Sequence, residues 1–338
     1  MDPASAAHRD ELLAAWIQSS RGPLAGGGPR RAGLWGARRR RGGIAVVTDS
    51  SCSLPSELLD AARVPVVSVP IPVMIGEQIY TETAGKARGS AGAGTPGDQT
   101  ELDRDLALAV AQGITVRTSR PSPGRLAQTF TALQEQGCDG IVAIHLSSKL
   151  SGTVDAARLA AGEVDIPVRV VDSLQTGAAL GHAVLDAAAA AGRGVGLEEV
   201  ADTAEHSARG GTSFFVVPSL EQLRRGGRIN ALASLLGGLL WVKPLLGLQD
   251  GEVQLVERPR TMPRAMERLM ARVEESAAGM ERPRLVVHAF GNASPAVELA
   301  DQVAGLSSRP VPVVDLPPSL AAHLGLGALA VCLTPEPG

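Results

Sequence analysis

Residues 145–153 read His-Leu-Ser-Ser-Lys-Leu-Ser-Gly-Thr. The stretch follows a short apolar run at 140–144 and precedes a helical pattern at 154–161. The order is strand, hydroxyl-rich turn, helix. The first N–H groups of such a helix lack intrahelical partners, and the dipole there is positive. Ser147, Ser148, Ser151 and Thr153 add side-chain donors to those backbone donors. This combination suits a small anion, either a carboxylate or a phosphate. In the competing reading, Ser151 or Thr153 only caps the helix.

Three further stretches have the same character. Thr48-Asp49-Ser50-Ser51 follows an apolar strand at 44–47, and Asp172-Ser173 ends a strand at 168–171. Thr118-Ser119-Arg120-Pro121-Ser122-Pro123 follows Ile114-Thr115-Val116 and opens a helix at 124–136. Strands alternating with helices in this order should be parallel, with their carboxyl ends on one edge, where open α/β sheets bind ligands. None of these turns itself carries a Gly-x-Gly-x-x-Gly or a Walker-type Gly-Lys-Ser/Thr. The pattern describes an anion site without a nucleotide fingerprint.

The elements that must position these residues follow from composition. With 338 residues, 44% of them apolar, the chain can bury two domains of ordinary size. Aromatics at 2% argue against base stacking, and a net charge of −3 gives no global pull on nucleic acid. Cys52, Cys138 and Cys332 are far apart and have no zinc spacing, which fits a reducing cytoplasm. No metal site and no cofactor motif is expected. Residues 1–43 carry Gly26-Gly27-Gly28 and Arg38-Arg39-Arg40-Arg41, and they read as a disordered extension. A nucleic-acid-binding tail is the alternative there.

Between the motifs, 53–59 reads as a helix capped by Ser53, and 64–70 as an edge strand interrupted by proline. Residues 85–100 read as a mobile loop and 101–112 as a helix. The alanine-rich 177–191 reads as a buried helix. In the second half, helices are expected at 197–209, 220–228, 261–279 and 295–306. Strands are expected at 213–217, 253–256 and 284–290, with a final extended piece at 310–316, and 321–327 closes the domain. The run 231–242 is too short and too broken by glycine for a stable membrane span. It reads as a buried helix, or as the lining of an apolar cavity.

In series, Thr48-Asp49-Ser50-Ser51, the 118–123 turn, the 147–153 turn, Val171-Asp172-Ser173 and Leu223-Arg224-Arg225-Gly226-Gly227-Arg228-Ile229 with Lys243-Pro244 resemble the DegV family over about residues 44–332. The resemblance implies a two-domain α/β fold. An N-terminal parallel-sheet domain at 44–175 would carry the hydroxyl site. A C-terminal α/β domain at 176–338, with a mixed or antiparallel sheet, would complete a ligand tunnel between them. It implies a non-enzymatic protein that binds a long-chain fatty acid and presents the carboxylate to a separate ATP-binding fatty acid kinase subunit. The acyl phosphate formed would enter phospholipid synthesis. By the same resemblance, Thr118, Ser119, Ser147, Ser151, Gly152 and Thr153 contact the carboxylate. Arg228 and His323 lie at the tunnel mouth, near phosphoryl transfer or the partner.

Physical chemistry supports such a ligand independently. At ~0.8 kcal/mol per methylene, burying a sixteen-carbon tail contributes roughly 10 kcal/mol before ordering costs. Neutral hydrogen bonds at ~1 kcal/mol each cannot rival that. Affinity should come from the tail and orientation from the hydroxyls. The competing classes are a stand-alone serine hydrolase with His145 beside Ser147, and a small-anion-binding enzyme. The first lacks a Gly-x-Ser-x-Gly elbow. The second lacks phosphate-loop motifs and paired carboxylates.

Overall fold

A computed structural model describes residues 3–25, 42–81, 96–228 and 242–337. The chain begins with helix α1 (Pro3–Ala25), then β1 (Ile44–Asp49), the short α2 (Ser56–Leu59), β2 (Val66–Val69), β3 (Pro72–Ile75) and β4 (Gln78–Thr81). It continues through α3 (Pro96–Ala111), β5 (Val116–Thr118), α4 (Pro123–Glu135), β6 (Gly140–His145), α5 (Thr153–Ala161) and β7 (Val168–Asp172). Helices α6 (Gly177–Arg193) and α7 (Leu197–Arg209) lead to β8 (Thr212–Val216), α8 (Glu221–Arg225), β9 (Leu245–Gln249) and β10 (Glu252–Glu257). The C-terminal part adds α9 (Met262–Ala278), β11 (Pro283–Ala289), α10 (Ala293–Val303), β12 (Val313–Asp315), α11 (Pro318–Leu324) and β13 (Leu329–Pro335).

The N-terminal lobe is built on a four-stranded sheet in the order β2-β1-β6-β7. Every pairing in it is parallel. Its strands are β-branched and apolar, as expected of a sheet covered on both faces. Helices α4 and α5 cover one face through Leu126, Phe130 and Ala157. Helices α6 and α7 cover the other. The register sets His145 beside Asp172, which brings the strand ends and their hydroxyl turns to one edge. The Thr118-Ser119 turn comes instead from a small antiparallel sheet, β4-β3-β5.

The C-terminal lobe is a six-stranded sheet in the order β10-β9-β8-β13-β11-β12. It is antiparallel except for the parallel pair β11–β12. Helices α9 and α10 pack on one face through Leu269, Val273 and Leu299. Helix α6 touches β1 and β6 on one side and β13 on the other, so it lies between the two large sheets. Its alanines permit that double contact, and residues 177–191 are all buried. Within the helix, a Cβ on Gly181 would fall 2.5 Å from the Cys52 carbonyl oxygen, so this close approach requires glycine.

Several expectations need correction. Residues 3–25 are not a disordered extension but helix α1. Trp16 and Leu24 are buried, with Leu13 and Ile17 packed beside them, on the same core as α6. Arg9 pairs with Asp315 at 2.6 Å, and Arg309 donates to the Ser19 carbonyl at 2.7 Å. The reading by composition averaged these few apolar residues with the glycine and arginine that follow them. Ser53 caps no helix; it adopts φ 56° and closes the 3-10 turn at Ser50–Cys52. Helix α3 starts at Pro96, inside the stretch read as loop. The remainder of that loop, the arginine run and the apolar 231–241 lie outside the described residues. Strand β13 was missed, although the run Leu329-Ala330-Val331-Cys332-Leu333 has the form of a fully buried strand. No described helix is long and apolar enough to cross a membrane.

Candidate functional site: a cavity between the lobes

The edge of the parallel sheet is held by its own polar groups. Asp49 is fully buried, and its Oδ1 accepts from the Ser51 hydroxyl at 2.6 Å and the Ser51 N–H at 3.2 Å. Its Oδ2 accepts from Leu146 N–H and His145 Nδ1, each at 3.0 Å. Asp172 Oδ1 accepts from the N–H groups of Ser148 at 3.1 Å and Leu174 at 3.2 Å. Ser147 donates to the Gly251 carbonyl at 2.7 Å, and thereby ties the turn after β6 to the β9–β10 hairpin of the other lobe. A Cβ on Gly251 would lie 2.4 Å from that hydroxyl, and Gly251 also holds φ +80°. These residues fix the turn.

Beside this edge a cavity opens between the lobes, with an empty volume of about 870 Å³ including its mouth. Its wall is mostly apolar, with Leu146 and Leu150 from the N-terminal lobe and Phe215, Leu248 and Leu316 from the C-terminal lobe. Of the expected site residues, Thr118, Ser119, Ser151, Arg228 and His323 line it. Ser147, Gly152 and Thr153 stand outside the wall. Gly152 occupies the N-cap position of α5, without a side-chain cap bond from any neighbour, so neither Ser151 nor Thr153 caps that helix. The Thr153 hydroxyl lies 2.9 Å from that of Ser151 and props it from behind.

Beside Thr118 and Leu150 the cavity wall carries one cation, Arg228, and one imidazole, His323. Arg228 donates from Nε to the Leu150 carbonyl at 3.2 Å and from its guanidinium to the Gly226 carbonyl. Burial lowers its pKa, and no described carboxylate pairs with it. His323 Nε2 lies 2.8 Å from Thr118 Oγ1. Its Nδ1 has no partner among the described residues and packs on Gly226, where a Cβ would come within 2.2 Å. Glycine at 226 is therefore what lets α8 approach the ring. Burial, and then the Arg228 charge, push the His323 pKa down to about 4, so the imidazole is neutral at physiological pH.

Ser51, which the sequence reading placed in a hydroxyl turn without a contact role, also lines the cavity, as do Thr176, Ser213, Ser319, His288 and Cys332, which that reading missed. A signal was available: Ser213 and Phe215 alternate along β8, and Ala330 and Cys332 along β13, so each pair shares one face. The hydrolase arrangement does not form. Ser147 gives its proton to Gly251, and His145 bonds Asp49 from inside the sheet edge. Among the described residues no cluster of His, Cys, Asp and Glu could hold a metal ion.

Fold and cavity define a class: a two-lobed α/β protein with a largely apolar cavity between the lobes, its wall carrying several hydroxyls. The sequence model described as "Uncharacterised protein, DegV family" matches residues 43–336. The chain belongs to the DegV family. A DegV domain-containing protein of Streptomyces coelicolor is 38% identical over 299 residues, covering 86% of this chain and 98% of that protein. Among solved structures, a fatty-acid-binding DegV family protein from Thermus thermophilus matches with TM-score 0.74 at 31% identity, covering 87% of this chain and all of the other. DegV of Bacillus subtilis, described as a fatty acid binding protein, matches with TM-score 0.73 at 26% identity, over 87% of this chain and 99% of its own. Helix α1 precedes the family match.

Proposed function

We propose that this chain binds one long-chain fatty acid in the cavity between its lobes and presents the carboxylate to a separate ATP-binding kinase subunit. The observation that carries the reading is the cavity's lining. Most of its wall surface is apolar, and the hydroxyls of Thr118, Ser119 and Ser151 line it together with Arg228, which no described carboxylate pairs with. The relatives from Thermus thermophilus and Bacillus subtilis, described as fatty-acid-binding, support the same ligand.

The chemistry follows from the donor set. His323 is neutral and shares a hydrogen bond through Nε2 with Thr118 Oγ1; in the tautomer that carries its proton on Nε2 the ring donates, and the Thr118 proton is left for the carboxylate. Ser119 and Ser151 add neutral donors, and Arg228 supplies charge that is already spread over two carbonyls. A carboxylate held this way keeps lone-pair density for attack on a γ-phosphorus. The carboxylate oxygen forms the new P–O bond and ADP leaves with the electrons of the old one. Ser147, Gly152 and Thr153 act from behind by fixing the turn. We place the activity in the cytoplasm, where Cys52, Cys138 and Cys332 stay reduced.

The test is native mass spectrometry of the purified protein, with organic extraction of any bound lipid. A fatty acid at one per chain is expected. Arg228→Leu should weaken binding about tenfold or more, the loss of one charge-assisted hydrogen bond. Acyl phosphate, trapped by hydroxylamine, should form only when chain, fatty acid, ATP and kinase subunit are combined. Protein that neither carries nor takes up a fatty acid would overturn the reading.

A further inference from the structure

Ser119 and Ser151 line the cavity, and one cation outside its wall lies against both turns that carry them. Arg120 follows Ser119 after β5 and is exposed. Its side chain reaches across to the turn before α5. A Cβ on Gly152 would lie 2.8 Å from Arg120 Nη1 and 3.1 Å from its Cδ. Gly152 is the neighbour of Ser151, so Arg120 is joined to one of the two hydroxyl residues and packs beside the other.

The positive charge at this place is uncompensated. No described carboxylate pairs with Arg120, nor with Lys149, which is exposed on the same turn as Ser151. Asp155, the acidic residue in the first turn of α5, is taken by Arg158 at 3.1 Å. The amides that open α5 add positive partial charge, so Arg120 rests where a lone cation is disfavoured. A fatty acid does not relieve this. Its single charge is met inside the wall, in the reading above, by Arg228 and the hydroxyls of Thr118, Ser119 and Ser151. A phosphate on the same tail extends beyond the position of the carboxylate, and carries its second charge outward past those hydroxyls.

We infer that Arg120 forms a phosphate subsite at the cavity mouth, and that this chain binds single-chain lipid phosphates, acyl phosphate among them, more tightly than the free fatty acid. The inference rests on the fatty-acid reading and adds a second headgroup to it. A guanidinium offers a planar fork of donors that matches phosphate oxygens. A phosphate monoester brings about −1.5 to −2 of charge at neutral pH, more than a carboxylate does. Arg228 is already bonded to the Leu150 and Gly226 carbonyls, whereas Arg120 has its donors to give. The phosphorylated lipid is then the form the protein holds longer.

The experiment needs no kinase. Palmitate and hexadecyl phosphate, a stable probe of the same tail length, are each titrated into the full-length protein against a displaceable fluorescent fatty acid. Hexadecyl phosphate should bind about tenfold or more tightly than palmitate, the effect of an added charge-assisted hydrogen bond. Arg120→Gln should abolish that preference and leave palmitate affinity within about twofold, as befits an exposed position. Arg264→Gln, at an exposed arginine of α9, should change neither. A preference for the phosphate that survives in Arg120→Gln, or none in the unaltered chain, overturns the inference and leaves the lipid reading standing. Equal losses in Arg120→Gln and Arg264→Gln would assign the preference to net charge and overturn it too. Failure of both probes and of the fluorescent fatty acid to bind overturns the lipid reading, and the inference with it.

Discussion

The two walls of the cavity are built on opposite plans. In the N-terminal lobe, the turns at the strand ends spend their polar atoms on one another. Asp49 accepts from Ser51, Leu146 and His145, Asp172 from Ser148 and Leu174, and Ser147 reaches across to Gly251. Only Thr118, Ser119 and Ser151 of the expected hydroxyl residues are left facing the cavity. In the C-terminal lobe apolar side chains make up more of the wall, and its polar groups are spread over it: Ser213 and His288 on strands, Ser319 and His323 on α11, and Arg228 just after α8. A self-satisfied sheet edge holds small donors in place, and the opposite lobe supplies charge and apolar surface. The difference teaches that a hydroxyl-rich turn can be mostly scaffold, with a minority of its groups available to a ligand.

Removing the scaffold should have the largest effect. Asp49→Ala leaves the Leu146 N–H, the Ser51 groups and His145 without their shared acceptor in a fully buried place. A loss of about 3–5 kcal/mol of stability is expected, as for breaking other buried polar pairs, and urea denaturation would read it. Arg228→Leu, on the other wall, should cost far less stability and act mainly on ligand affinity. Equal losses in the two variants would erase the distinction between scaffold and site.

Acid should act next, and through the C-terminal wall. The His323 pKa is pushed down to about 4 from 6.5, so the unfolded chain takes up a proton that the folded chain refuses. Stability is therefore full above pH 6.5 and falls as pH drops towards 4, by up to about 3 kcal/mol. Buried His182 is also held well below its ordinary value, by burial and then by Arg284, and it contributes a loss of the same sign. The two separate by substitution. His323→Asn should flatten the slope of stability against pH between 6.5 and 4 by about one proton. A slope unchanged in that variant would assign the acid sensitivity to His182 and the α6 core.

Much of this was legible from residue order. The parallel strands β1, β6 and β7 announce themselves as β-branched runs, each followed by hydroxyls, and the alternation with helices implies the shared edge. The glycines at 226 and 227 mark the end of α8. Contacts set by long-range packing were not legible. Nothing local distinguishes Ser147, which bonds Gly251, from Ser151, which lines the cavity, because the difference depends on where the β9–β10 hairpin arrives. Helix α1 was hidden because its apolar residues form no one-sided stripe and were averaged with the polar run after them. Strand β13 was hidden because a short apolar run has no periodicity of its own; its place is defined by β8 and β11 on either side.

The smallest effects should fall on the hydroxyls that remain at the cavity, and they test what those hydroxyls are for. Ser119→Ala and Ser151→Ala each remove one neutral donor, worth ~1 kcal/mol, so fatty-acid Kd should rise only about fivefold. On the proposed function, phosphorylation depends on where the carboxylate points, and small displacements from the productive geometry are costly. Acyl phosphate formation with saturating fatty acid and kinase subunit should therefore fall by more than affinity does, about tenfold or more. Ser151→Ala should show the larger split, because the Thr153 hydroxyl at 2.9 Å holds Ser151 in one orientation, whereas Ser119 is exposed at the mouth. Unchanged phosphorylation rates in both variants would mean that Arg228 and the Thr118–His323 pair orient the carboxylate alone. The N-terminal wall would then be scaffold throughout, apart from Thr118.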